Sequence, residues 1–339
     1  MKLPVVRPAN TSDLSSFISF AEESGCGITS LPCNPVVLEK KLHASKDSFQ
    51  HKLIAPMHET YLFCLELEGK VIGTSGVVSR IGMQEPFFAY HLLNEHLTSS
   101  YLGIDRTVPV LHFTRARKKP TEIGTLYLAK NFRHKELGQP LGKLLSFSRF
   151  LFIATFKNRF ASTVIAELRG VNQNGYSPFW EAVGRFFFKM DFAEADYLRT
   201  EQSLCIEELT PKHPLYVELL PREAQEAIGK THHDAVGAKK LLEKQGFKMS
   251  HYVDLFDAGP HVYAHTEEIH AVKESQEGVV KELHSETRDS PLAIIANTRL
   301  DYRATCAPLL VENNRVTFHA AVASALQIRV GDLVRYYFL

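Results

Sequence analysis

The sequence predicts an α+β fold built around one mixed sheet. Three observations predict it. Apolar runs of strand length alternate with stretches of helical period, the centre of the chain holds a strand, a Gly-rich turn and a long apolar helix in succession, and 45% hydrophobic against 23% charged residues is a globular balance. At 339 residues the chain is long for one compact domain and suits two or three.

Taken in order, residues 3–7 predict a short strand ended by Pro8, and Thr11 or Ser12 is placed to cap a helix whose apolar positions are Leu14, Phe17, Ile18 and Ala21. The 25–27 Gly-Cys-Gly segment stops it, and a second helix is expected over 36–42. Two apolar runs, 61–67 and 71–78, flank Glu68-Gly69-Lys70 and predict a β-hairpin. Further strands are expected over 88–93 and 125–129. A Gly-rich turn over 133–142 then opens a helix over 143–156, and a buried strand is expected over 163–168. Residues 179–188 read as helix, 204–209 as strand, 222–228 and 235–245 as helices, and 252–256 as strand. Residues 273–290 are charged with little apolar period and read as an exposed connection. Strands are expected beyond it at 292–296, 307–311, 316–320 and 333–338, so residues 291–339 read as a small all-β, barrel-like subdomain.

Composition removes several function classes. Net charge is +1, with 39 basic against 38 acidic residues, which leaves no electrostatic footprint for nucleic acid or a membrane surface. The most apolar stretch, 144–156, is interrupted by Ser146, Ser148 and Arg149 and is too short to span a bilayer. The N-terminus lacks the apolar run of a secretory signal. Five cysteines are odd in number and form no Cys-x-x-Cys pair, so neither a disulfide framework nor a structural zinc is expected, and the expected location is cytoplasmic. Transfer through Cys26 or Cys205 lacks a His partner at any telling spacing.

The chemistry concentrates at the central strand, turn and helix. A helix N-terminus behind glycines offers unpaired N–H groups and the positive end of the helix dipole to a phosphate. Gly138 and Gly142 allow close backbone approach there, and Arg133 and Lys143 add charge. A plain Gly-rich turn is the alternative. Glu167 and Arg169, two apart, lie on one face of their strand and suit either a clamp for a basic, carboxylate-bearing substrate or an internal salt bridge. Asp191 and Asp254 are other candidate carboxylates, and Arg149, Arg169 and Lys212 are candidate cations for a carboxylate.

The order of elements resembles that of the GNAT acyltransferase superfamily. There, an Arg/Gln-x-x-Gly-x-Gly/Ala turn holds the coenzyme A pyrophosphate; here four residues separate Arg133 from Gly138 and three more separate it from Gly142, so the loop is longer. In that fold the preceding strand splays from its neighbour and its free backbone groups meet the pantetheine arm and the thioester carbonyl, which implies a backbone contact at Leu126. Residues 177–184 and 237–247, each a short helix ending in glycine, suggest either a tandem repeat (halves 1–195 and 196–272) or two unrelated capped helices.

More specific blocks follow: Gly27 to Pro32, Leu144 to Phe150, Ala166 to Gly170, Ser177 to Trp180, Phe187 to Phe192, Pro211 to Pro214, Ile228 to His232 and Asp254 to Pro260. In these blocks the chain resembles the arginine N-succinyltransferase family over roughly residues 3–272, and the C-terminal segment fits more loosely. The resemblance implies transfer of succinyl from succinyl-CoA to the α-amine of L-arginine, with no prosthetic group, no metal, and association into a homo-oligomer. It also implies a proton-transfer role for the His of the Ile-Gly-x-x-His block, here His232, with His233 adjacent. Succinylation of ornithine or another basic amino acid, and a silent acyl-CoA-binding protein, remain the alternatives. The implied layout is an acyltransferase region over 1–272, a connection over 273–290 and a subdomain over 291–339.

Overall fold

The computed structural model describes residues 3–25, 28, 30–51, 55–133, 140–198, 203–285 and 290–339. Gly138 and Cys26 lie outside the described residues. The N-terminal part contains β1 (Val5–Pro8), α1 (Leu14–Ser24), α2 (Pro35–Gln50), β2 (Thr60–Leu67), β3 (Lys70–Val78), β4 (Phe88–Ser99), β5 (Ile104–Arg115), β6 (Thr121–Leu128), α3 (Leu141–Thr155) and β7 (Thr163–Glu167). Then come α4 (Pro178–Ala182), α5 (Gly184–Phe188), α6 (Phe192–Leu198), α7 (Ser203–Leu209), β8 (Leu215–Tyr216), α8 (Arg222–Ala227), α9 (Val236–Glu243), β9 (Lys248–Val253), β10 (Pro260–His265) and α10 (His270–Lys273). The chain ends with β11 (Gln276–His284), β12 (Leu292–Asn297), β13 (Ala304–Pro308), β14 (Leu310–Glu312), β15 (Arg315–His319), α11 (Ala320–Leu326) and β16 (Leu333–Phe338).

Among the described residues the strands join in one mixed sheet, in the order β14-β15-β11-β16-β12-β13-β1-β2-β3-β6-β7-β10-β9-β4-β5-β8. The β2–β3 hairpin forms as its sequence predicts: Glu68 and Gly69 both take positive φ, 53° and 78°, the geometry of a two-residue turn that matches strand twist. Helix α3 crosses this sheet and is buried along nearly its whole length. Its Phe152 meets the rings of Phe49, Tyr61, Phe63 and Tyr302 at centroid separations of 5.1–5.7 Å, so aromatic packing holds the helix against β2 and the C-terminal strands. The Tyr302 hydroxyl donates to the Ser148 carbonyl at 2.7 Å, joining the C-terminal segment to α3.

The structure corrects several expectations. Asn10, rather than Thr11 or Ser12, caps the first helical turn, its side chain accepting from the Ser12 amide while Asp13 reaches back to the Asn10 amide. Residues 204–209 are part of a helix, not a strand; six apolar-rich residues are too few for periodicity to separate the two. Within the stretch read as an exposed connection, residues 276–284 form β11, which pairs with β15 and β16. Its charges hid it: Gly278 and Val280 face inward while Glu277, Lys281 and Glu282 lie exposed. The C-terminal segment is mixed rather than all-β, because α11 packs on its strands, and it continues the main sheet through β13 and β1. β5 and β10 add strands that the sequence reading did not anticipate.

Candidate active site

The site begins where two strands part. β6 and β7 run parallel and pair at Thr121–Val164 and Glu122–Ile165; beyond Glu122 no register partners join them. On its other side β6 pairs with β3, but the register slips: Gly76 faces Gly124 and Thr74 faces Tyr127, leaving Thr125 and Leu126 bulged out of the ladder. Thr125 holds φ at 53°, a conformation rare for a β-branched residue, and its amide donates to the Ser30 hydroxyl at 2.8 Å. The Leu126 backbone therefore has no ladder partner on either side, and it opens onto a cavity of about 1080 Å³.

One wall of that cavity is β6 and α3. Arg133, Gly142 and Lys143 line the end beside the N-terminus of α3. The Arg133 guanidinium lies over the Tyr127 ring, 5.0 Å from its centroid, and its Nε donates to the Leu128 carbonyl at 2.7 Å. Deeper along α3, Arg149 also lines the cavity.

The other wall is built from loops. Ala166, Glu167, Leu168 and Arg169 line it where β7 runs out, with Asp254 and Asp257 from the loop before β10. Asp257 staples these loops together: its carboxylate accepts from the Gly170 amide at 2.7 Å and the Gly259 amide at 2.8 Å. Asp254 turns its own loop by accepting from the Phe256 and Asp257 amides at 2.7 and 3.1 Å. The two chains run so close that a Cβ on Gly259 would fall on the Leu168 carbonyl oxygen, which is why glycine stands there.

His232 is carried by a third loop that docks on the same pair. The Gly229 amide donates to the Ala258 carbonyl at 2.9 Å, and the His232 amide to the Arg169 carbonyl at 2.8 Å. Three of the sequence blocks, 166–170, 228–232 and 254–260, thus meet at one place. The His232 ring is buried and does not itself line the cavity; its neighbours Asp234 and Ala235 and its partner Arg169 do. Its Nδ1 accepts from the Asp234 amide at 3.2 Å, so the neutral ring carries its proton on Nε2. Burial, then the charge of Arg169 and then His233, lower its pKa below 6.5, so the imidazole is neutral at neutral pH.

The remaining sequence candidates separate cleanly. Glu167 and Arg169 do not pair with each other. Glu167 Oε1 lies 3.2 Å from Nε2 of the buried His261, whose pKa it raises against the lowering effect of burial. Arg169 donates to the Ser24 carbonyl at 3.0 Å and to Asn172 Oδ1 at 2.6 Å. Asp191 accepts from the Glu194 amide, and Lys212 lies over the Phe113 ring; neither lines the cavity, and Cys205 does not either. His232, His233 and Asp234 are the one group of potential metal ligands close enough to share an ion among the described residues, and two of the three are exposed.

Residues 4–271 match the family model of the arginine N-succinyltransferase beta subunit, and residues 276–337 match the model of that subunit's C-terminal domain. The chain belongs to the arginine N-succinyltransferase family. It is 34% identical over 336 residues to the arginine N-succinyltransferase of Salmonella arizonae, covering 98% of this chain and 96% of the relative. The relatives of the same name from Escherichia coli and Shigella flexneri give the same figures. Among solved structures it is similar to arginine/ornithine succinyltransferase subunit AI from Pseudomonas aeruginosa, with a TM-score of 0.90, 30% identity, and coverage of 100% of this chain and 99% of that one.

Sequence reasoning missed Ser30, Glu122, Asn172, Asp234 and Asp257 as site residues. Ser30 and Asp257 stand inside quoted blocks, so the signal was present; what was missing was the long-range contact that gives each its work.

Proposed function

We propose that this cavity is an acyltransferase active site in which the β6 bulge holds the thioester and His232 moves the proton. The reaction is the family's: the succinyl group of succinyl-CoA passes to the α-amine of L-arginine in arginine catabolism, releasing coenzyme A. The carrying observation is the parting of β6 from β7 with Leu126 left out of both ladders, at the mouth of a cavity that reaches the α3 N-terminus. That arrangement supports a GNAT-type core, with the pyrophosphate at Arg133, Gly142 and Lys143 and the pantetheine arm along β6.

The chemistry then follows from the groups present. The amine arrives mostly as ammonium, since the α-amine of a free amino acid is even more basic than a peptide N-terminus, and it must lose a proton before it attacks. Its nitrogen forms a bond to the thioester carbon while the Leu126 N–H steadies the developing oxyanion. The C–S bond then breaks and the thiolate leaves. A neutral His232 serves this sequence in two ways. It takes the amine's proton once Nδ1 gives up the Asp234 amide, or Nε2–H steadies the departing sulfur. Glu167 and Arg169 face the same cavity, which supports their roles toward the guanidinium and a carboxylate.

The Pseudomonas neighbour is named for both arginine and ornithine, so ornithine is the second acceptor to be tested. That neighbour is called a subunit, which supports association of chains here as well. No helix among the described residues is long and apolar enough to cross a membrane, and we place the enzyme in the cytoplasm. The acyltransferase region is taken as 1–272, with the strands from β11 onward extending its sheet.

Thiol release from succinyl-CoA, measured with single amino acids, tests the reading. Release that depends on arginine and falls about 10²–10⁴-fold in His232→Ala is expected. Release independent of any amino acid, or none, would sink it.

A further inference from the structure

Among the described residues, Arg149 is the one arginine that is both fully enclosed and part of the cavity wall. It is 2% exposed on the middle of α3. Its Nε donates to the Ser146 carbonyl at 3.0 Å and its Nη2 to the Ser146 hydroxyl at 3.0 Å, both on its own helix. Nη1 reaches the Gly124 carbonyl at only 3.4 Å. A guanidinium has five N–H donors in a fork made for a carboxylate, so this one is under-used. No carboxylate among the described residues pairs with it, and burial alone pulls its pKa down to about 9, which leaves it charged at neutral pH. A buried cation without an anion is a standing cost to the fold. A ligand that brings the anion removes that cost.

Its place on the wall says which anion. With the thioester carbonyl at Leu126 and the coenzyme running toward Arg133 and Gly142, the acyl chain points back along β6 toward Gly124. Two residues of regular strand would span about 6.6 Å, and the positive φ of Thr125 between Gly124 and Leu126 draws these two closer than that. The first and fourth carbons of a succinyl group are about 4 Å apart across three C–C bonds, and the carboxylate oxygens reach about 1 Å further. The far end of the acyl chain therefore arrives where the Arg149 fork meets the Gly124 carbonyl. The alternatives are less suited: Lys212 is outside the cavity, and Arg169 sits on the opposite wall, already donating to Ser24 and Asn172.

We propose that Arg149 is the donor-specificity residue, receiving the terminal carboxylate of the succinyl thioester from inside the parting of β6 and β7. This rests on the acyltransferase reading above, and it explains why a dicarboxylic acyl donor would be chosen over a neutral one. Without the carboxylate the Arg149 charge stays buried and unpaired, so neutral donors are rejected by the site rather than merely held less well.

The test compares succinyl-CoA with butyryl-CoA, which has the same chain length and no terminal carboxylate, in the full-length protein and in Arg149→Met and Arg149→Lys. In Arg149→Met, kcat/KM for succinyl-CoA is expected to fall about 100-fold or more, while butyryl-CoA stays within about threefold of wild type or improves. Arg149→Lys keeps the charge and loses the fork, so about a tenfold fall confined to succinyl-CoA is expected. It decides the matter if melting shows the Met variant to be unfolded. A parallel fall for both donors would make Arg149 a packing residue and overturn the inference. So would a loss of discrimination between arginine and agmatine with donor preference intact, since that assigns Arg149 to the acceptor's carboxylate. Wild-type protein that shows no arginine-dependent thiol release overturns the acyltransferase reading, and this inference with it, whereas active wild type with a parallel loss overturns this inference alone.

Discussion

The two walls of the cavity are held by different forces. The β6–α3 wall rests on helix and strand hydrogen bonds, interrupted only at the β6 bulge, and on apolar burial, with Phe152 and its aromatic neighbours at the centre. The opposite wall, the loops over 166–172, 228–235 and 254–259, has little regular structure, and buried polar side chains of Asp254, Asp257 and Asn172 satisfy its backbone and fix its shape. The first wall is built to be stable. The second is built to be exact in position, and it carries His232.

Phe152→Ala should show the largest loss of stability, about 3–5 kcal/mol, because it empties the aromatic centre. Activity per folded molecule, measured below the lowered melting temperature, should stay near wild type. Asp257→Ala leaves the Gly170 and Gly259 amides without an acceptor and should cost about 2–4 kcal/mol. Here the loss of kcat should exceed what the unfolded fraction explains, since the loop that anchors His232 shifts with it. If the two variants swap these behaviours, the contrast between the walls is wrong. Tyr302→Phe removes one buried hydrogen bond to the Ser148 carbonyl and should lower stability by about 1 kcal/mol with no kinetic change.

The smallest effect is on pH. Burial, Arg169 and His233 hold the His232 pKa below 6.5, so the acid limb of kcat/KM should fall below 6.5, with activity lost as pH drops and the ring takes a proton. Arg169→Gln removes a positive neighbour and should move that limb upward, toward 6.5. A downward move would contradict the assigned cause.

The same contrast explains what could be read in the sequence. The ladder wall was legible: the 61–78 hairpin announces itself through Glu68-Gly69, and the helix after the Gly-rich turn through its apolar run. The loop wall was legible only as blocks, because Asp257 meets Gly170 across 87 residues and no local pattern encodes that. Glu167 and Arg169 share a strand face in the sequence, yet the strand ends at Glu167 and each turns to a distant partner, His261 and Ser24. The misread segments failed for physical reasons as well. β11 shows its charges because one face meets solvent, and 204–209 is too short for its period to declare itself.

The central claim is that the neutral His232 on the loop wall serves succinyl transfer at the β6 bulge. The most direct measurement is mass spectrometry of the product formed from succinyl-CoA and arginine by wild type and by His232→Ala, matched for folded protein by their melting curves. The account predicts arginine succinylated on its α-nitrogen by wild type, at a rate about 10²–10⁴-fold above that of the folded variant. Equal rates from the two proteins, or a product acylated elsewhere, would contradict it.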